Sequence, residues 1–210
     1  MKKSLARKLS VFFAGIVFIT CLVLVGLTVM IFGNIEDRMK DVLYENTLQS
    51  YKTEVKSEVQ SAISSIEYYY NLSDSGKIDE ATAKKDALEA LRNLRYGDDD
   101  SGYFWVDDTD YNLVMHPILP EQEGTNRYDL TDKNGVKIIQ SIMKTAESGG
   151  GFNEFYFTKS DGKTVAPKVA YSQKFDKWNW VITTGIYSDD IHEIVNKSDG
   201  LRRIVKIFNG

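Results

Sequence analysis

The groups in this 210-residue chain that could do chemistry are few and scattered. Its two histidines, His116 and His192, lie far apart, and neither has a serine or cysteine beside it in a nucleophile setting. Cys21 is the single cysteine, so no intrachain disulfide, CxxC pair or cysteine zinc site can form. It lies in an apolar run and reads as a small filler there. Asp107, Asp108 and Asp110 look like the start of a calcium loop. Counting from Asp108, however, the positions that need Gly and Glu hold Leu113 and Leu119. These acids read instead as solvated hairpin-turn aspartates, and Asp98 to Asp100 as a solvated loop. The glycines at 149–151 precede a strand, which makes them a helix stop and not a phosphate cradle. There is no GxSxG, HExxH or Walker loop. Lys168 sits in the middle of an otherwise apolar strand pattern, where an anionic ligand would account for it and so would a place on the solvent face. These observations point to binding, not catalysis, and to no metal or cofactor.

Charge and hydropathy say where such a site would lie. Lys2, Lys3, Arg7 and Lys8 precede the first acid, Glu36, which leaves 22 basic and 30 acidic residues, a net −8, in the rest. An acidic body without a basic stripe excludes nucleic acid as a partner. Residues 9–35 carry no charge and contain the 22-residue run VFFAGIVFITCLVLVGLTVMIF. A bilayer span needs about 20 such residues, whereas a cleavable signal has an apolar core of roughly 7–15. The expectation is a basic cytoplasmic tail over 1–8, an uncleaved signal-anchor over 9–33 and a body outside the cytoplasmic membrane, because basic residues stay inside.

The body must then supply the elements. Apolar residues at Ile35, Met39, Val42, Leu48, Tyr51, Val55, Val59, Ala62, Ile66 and Tyr69 step by threes and fours, apart from the break at Asn46, which predicts a long helix over 34–72. Its stripe would pack on its own domain or pair with a second copy in a homodimer, and spacing leaves both open. A second helix is expected over 79–95. The period then changes to two, giving five strands at 103–108, 112–117, 151–159, 164–175 and 180–187, with a helix over 132–149 between the second and third and another beyond 188. Sequential hairpins after helices imply an α+β antiparallel sheet spanning 103–187. Residues 192–210 are too short and too charged for a second membrane span.

The ordered set LRNLRYGDDDSGYFWVDD, NLVMHP, GGGFNEFYF, VAPKVAYSQKF and WNWVITTGIY closely resembles the single Cache domains of bacterial chemoreceptors and sensor kinases, over about 34–191. That resemblance implies a PAS-like antiparallel sheet backed by the long N-terminal helix, and a pocket for short carboxylates such as acetate, propionate or pyruvate. It places Arg95 at the pocket as a two-pronged carboxylate grip, although an arginine closing a helix also suits the helix dipole. It makes Tyr103 and Trp105, on one face of the first strand, the pocket wall, with core packing the competing reading. His116 of MHP would donate to the carboxylate, with affinity falling as pH rises past its pKa. Lys168 matches the family's pocket lysine. Phe155 stands where many relatives carry Tyr. Tyr171 lies three residues from Lys168, so both can line one pocket only if a bulge intervenes. The implied function is an extracytoplasmic input module for chemotaxis or transmembrane signalling. The alternative is a Cache body without a ligand, acting as a dimerising partner of full-length chemoreceptors.

Overall fold

Apolar periodicity in the N-terminal third, and alternation in the C-terminal half, resolve in the computed structural model into four helices and five strands among the described residues, 2–97, 100–159 and 161–197. Helix α1 is Lys2–Asp74, α2 Glu80–Asn93, β1 Trp105–Asp108 and β2 Leu113–Met115. A 3-10 turn, Pro120–Gln122, precedes α3 (Ile138–Glu147), β3 (Gly151–Thr158), β4 (Val165–Phe175), β5 (Trp180–Tyr187) and α4 (Ser188–Lys197). The expected helical tail is present as far as Lys197, and its remainder lies outside the described residues, as do Asp98 and Asp99.

The chain divides into two units, Met1–Glu45 and Asn46–Gly210. The first consists only of the N-terminal part of α1. It contains the segment long and apolar enough to cross a membrane, with exposed side chains such as Phe12, Phe18 and Leu24. The helix runs from this segment into the one predicted over 34–72 without interruption, so the two form one element.

In the second unit the strands pair antiparallel throughout in the order β2-β1-β5-β4-β3. Period-two alternation gives the sheet two faces. Phe104, Val106, Tyr171, Phe175 and Ile182 point to one face, covered by Val55, Val59, Ala62 and Ile66 of α1 and by Ala83, Ala87 and Leu91 of α2. Tyr103, Trp105, Phe155, Phe157, Ala166, Ala170, Val181 and Tyr187 point to the other, covered by Ile138, Ile139, Ile142 and Met143 of α3.

Two helix boundaries differ from the sequence expectation. Helix α2 stops at Asn93, because Leu94 turns to an extended conformation (ψ 128°), which leaves Arg95 outside the helix. Helix α3 begins at Ile138, not near 132. The preceding residues are held in a turn by Asp132, whose Oδ1 accepts from the amides of Asn134 and Val136 while Oδ2 accepts from Tyr156 N of β3. In the β1–β2 hairpin, Tyr111 adopts φ +69°, the left-handed conformation that glycine takes without cost. The carboxylate of Asp108 fixes that turn by accepting from Asp110 N, Asn112 N and Asn112 Nδ2. At Gly185 of β5, a Cβ would come within 2.3 Å of the Val169 carbonyl oxygen, so the β4–β5 approach requires glycine.

Candidate ligand-binding site

Register builds the centre of the site. Lys168 of β4 is paired with Phe155 of β3 on one side and Tyr187 of β5 on the other, so the three side chains form a row on the α3 face. The Lys168 side chain is 1% exposed. Its Nζ donates to Tyr103 Oη at 3.0 Å and Tyr187 Oη at 3.3 Å, and lies over the rings of Tyr103 (4.2 Å), Tyr187 (4.5 Å), Trp105 (5.1 Å) and Phe157 (5.8 Å). The Tyr187 hydroxyl also donates to the Thr158 carbonyl at 2.5 Å. The ammonium therefore has phenols and aromatic faces around it, and forms no ion pair among the described residues. Burial pushes its pKa down, partly opposed by Tyr103, and burial pushes that of Tyr187 up. A carboxylate entering beside Nζ would supply the missing counter-charge.

His116 follows β2 directly and is fully buried. Its ring stacks against Trp105 and Phe157, both at 5.9 Å, and lies 5.4 Å from that of Tyr103. Nδ1 accepts from the amides of Ile118 and Leu119 at 3.2 Å, so the proton of the neutral ring is on Nε2, which has no partner. Burial, then the positive charges of Arg127, Lys168 and Arg92, push the His116 pKa down to about 3. The expected loss of affinity near neutral pH therefore does not come from this ring, which is already neutral there. Glu123 holds the segment in place. Its Oε1 accepts from His116 N at 2.8 Å, and its carboxylate takes a two-pronged pair from Arg92 at 2.7 and 2.9 Å. Burial acts to raise the Glu123 pKa, but these hydrogen bonds hold it below the ordinary value.

The predicted residues fall into three groups. Tyr103, Trp105, His116, Lys168 and Phe155 share the α3-side compartment. Phe155 is buried edge-on to Phe157 at 6.0 Å and brings no hydroxyl. Arg95 lies apart from them, on the surface. It is exposed and lines a cleft of about 440 Å³ with Ser101, Tyr103, Pro117 and Ile118, and its Nη1 donates to the carbonyls of Arg92 and Leu94 at 2.8 Å each. In this state it anchors backbone; the two-pronged carboxylate pair of this region belongs to Arg92, three residues earlier. Tyr171 lies on the opposite face. No bulge interrupts β4, so the strand's period sends it to the α1/α2 side, against Phe152 at 5.0 Å and with its hydroxyl on Gln173.

Sequence reasoning missed Tyr187, Phe157 and Arg127. Tyr187 was visible as the end of the GIY strand, but its place beside Lys168 follows only from the pairing register. Arg127 comes from the long loop after β2 and forms a buried ion pair with Asp107 through Nη2 and through Nε at 3.0 Å. Asp107 is thus a buried residue and not a solvated turn acid.

The model of the family described as single Cache domain 2 matches residues 47–199. The chain is 34% identical over 159 residues to the sensor histidine kinase MctS of Rhizobium johnstonii, covering 76% of this chain and 33% of the relative. It is 27% identical over 150 residues to the methyl-accepting chemotaxis protein McpP of Pseudomonas putida, covering 71% and 27%. The chain thus aligns with about a third or less of the length of these relatives. Among solved structures, it is similar to the periplasmic sensor domain of a chemotaxis protein (TM-score 0.64, 32% identity, 67% of this chain and 96% of that one). It is equally similar to a Cache chemosensory domain whose structure concerns carboxylic acid recognition (TM-score 0.64, 26% identity, 68% and 97%). The family match over most of its length, with the similarity to solved sensor domains, shows that this chain belongs to the single Cache domain 2 family of sensor domains.

Proposed function

We propose that the second unit is an extracytoplasmic input module that binds a small monocarboxylate of the acetate, propionate or pyruvate type, held at the membrane by the apolar part of α1 with its N-terminus in the cytoplasm. One observation carries this reading: a fully buried ammonium, Lys168, whose partners are neutral phenols. An isolated buried charge is costly, and a small anion would neutralise it. Tyr103, Tyr187 and His116 would add donors to the carboxylate, and Trp105 and Phe157 would wall its apolar end. Arg95 would meet the anion at the mouth. Similarity to a Cache domain that recognises carboxylic acids supports the ligand class, and the sensor kinase and chemotaxis relatives support the signalling role.

The test is calorimetry on the full chain in detergent with acetate, propionate and pyruvate. Saturable binding is expected, and Lys168→Met should weaken it at least a hundredfold, about 2.7 kcal/mol. Unchanged affinity in that variant would sink the site. A flat titration on folded protein would favour the alternative, a Cache body that carries no ligand and acts as a dimerising partner of full-length receptors.

A further inference from the structure

Lys168, Tyr103, Trp105 and His116 are each no more than 2% exposed, so a solute reaches the ammonium only when part of the wall moves aside. Most of the wall is firmly tied. Strand β4 is paired along its length on both sides, and α3 lies on the sheet through Ile138, Ile139 and Ile142, all buried. Segment 117–123 is tied less. It leaves β2 after His116 and returns at Gly124, whose amide donates to the Leu113 carbonyl at 2.7 Å. Between these points Ile118 and Leu119, both only partly buried, pack on the compartment. Among the described residues, its one ion pair is the two-pronged contact of Glu123 with Arg92, in the last turn of α2. The two side chains are 25% and 30% exposed. Such a pair fixes geometry yet parts easily in water. A second carboxylate is ready for the released guanidinium, since Glu89 Oε2 lies 3.8 Å from Arg92 Nε. Outside the segment is the cleft of about 440 Å³ lined by Arg95, Tyr103, Pro117 and Ile118. Tyr103 also receives Lys168 Nζ at 3.0 Å, and Ile118 also packs on the compartment, so cleft and compartment share these two residues as a wall.

We propose that segment 117–123 is a gate between this cleft and the Lys168 compartment, and that the Arg92–Glu123 pair is its latch. The inference rests on the reading that the compartment binds a small solute, and is independent of the solute's class. Arg92 is a positioning residue here, acting through Glu123. When the pair parts, Glu123 is free to leave the His116 amide as well, and Ile118 can lift from Tyr103 while the pairing of Leu113 with Gly124 and Thr125 keeps the base of the segment on β2. Breaking the latch equally in the empty and the filled protein speeds entry and exit together and leaves affinity almost unchanged. A residue that merely shaped the pocket would change affinity instead.

The experiment combines amide hydrogen exchange with stopped-flow tryptophan fluorescence on the full chain in detergent, with propionate as the probe. In the unaltered chain, 117–123 should exchange by a local opening insensitive to low denaturant, while β4 exchanges only on global unfolding. In Arg92→Met, exchange of 117–123 should be about tenfold faster or more, with β4 unchanged. Propionate association and dissociation should quicken by the same factor, leaving affinity within about threefold, and Arg92→Lys should fall between the variant and the parent. Exchange of 117–123 only through global unfolding in the unaltered chain overturns the gate, even if Arg92→Met does not fold. Faster exchange with unchanged propionate rates also overturns it, because the solute then enters elsewhere. Binding of none of acetate, propionate and pyruvate by the unaltered chain overturns the binding reading, and the gate with it.

Discussion

Phe104, Val106 and Ile182 leave one side of the sheet to meet α1 and α2 in a core that is nearly all hydrocarbon. Tyr103, Trp105, Asp107, Lys168 and Tyr187 leave the other side, where the space under α3 and the β2–α3 loop holds an ammonium, an imidazole, an ion pair and two phenols with almost no water contact. The strands are the same, and only the parity of the residue number differs. One side gains stability from burial alone. The other keeps groups whose burial costs free energy, which is the usual mark of a binding site and not of a scaffold.

Perturbing the two faces should therefore give opposite results. The largest effect is expected on the α1/α2 side: Ile182→Ala, a fully buried site, should destabilise by about 2–5 kcal/mol in denaturant unfolding. Ligand-free Lys168→Met on the other side should instead be more stable by roughly 1–3 kcal/mol, because apolar volume replaces a buried charge. A loss of stability there would mean that the phenols fully compensate the ammonium.

Acid sharpens the contrast. The unfolded chain protonates His116 near 6.5, the folded chain only at about 3. The contribution of this ring to stability is thus complete above 6.5 and declines as pH falls towards 3, by about 1.4 kcal/mol per pH unit in that window. Unfolding curves of the parent and of His116→Gln should converge as the pH drops, and parallel curves would refute the assignment. The smallest effect concerns Tyr171→Phe, which should change carboxylate affinity less than twofold although the residue lies three positions from Lys168. A tenfold loss would put Tyr171 back at the site.

Much of this architecture was legible in the sequence because it rests on period. The five strands fall within two residues of their expected bounds, and alternation correctly separated Tyr103 and Trp105 from Phe104 and Val106. The MHP histidine was singled out by resemblance to the family, since its position after a strand alone suits a structural role. What escaped depends on partners remote in sequence. Tyr187 meets Lys168 only through the β4–β5 register, and Arg127 meets Asp107 only because a long loop folds back over β1. The exposure of Arg95 turns on one residue, Leu94, leaving the helix earlier than its composition suggests. The neutral state of His116 comes first from burial and then from three cations, and its tautomer from two amides, none of which a local pattern announces.

The unbroken register of β4 also governs how such a domain can diverge. Lys168 faces the pocket because of its count along a strand paired on both sides without a bulge. Replacing a side chain at an even position of that strand retunes the cavity one contact at a time. Inserting or deleting one residue ahead of Lys168 within β4 would exchange the two faces at a stroke and drive the ammonium into the hydrocarbon core. Descendants of this chain can therefore explore new chemistry by substitution within a fixed strand length, while changes in length are confined to the turns at either end.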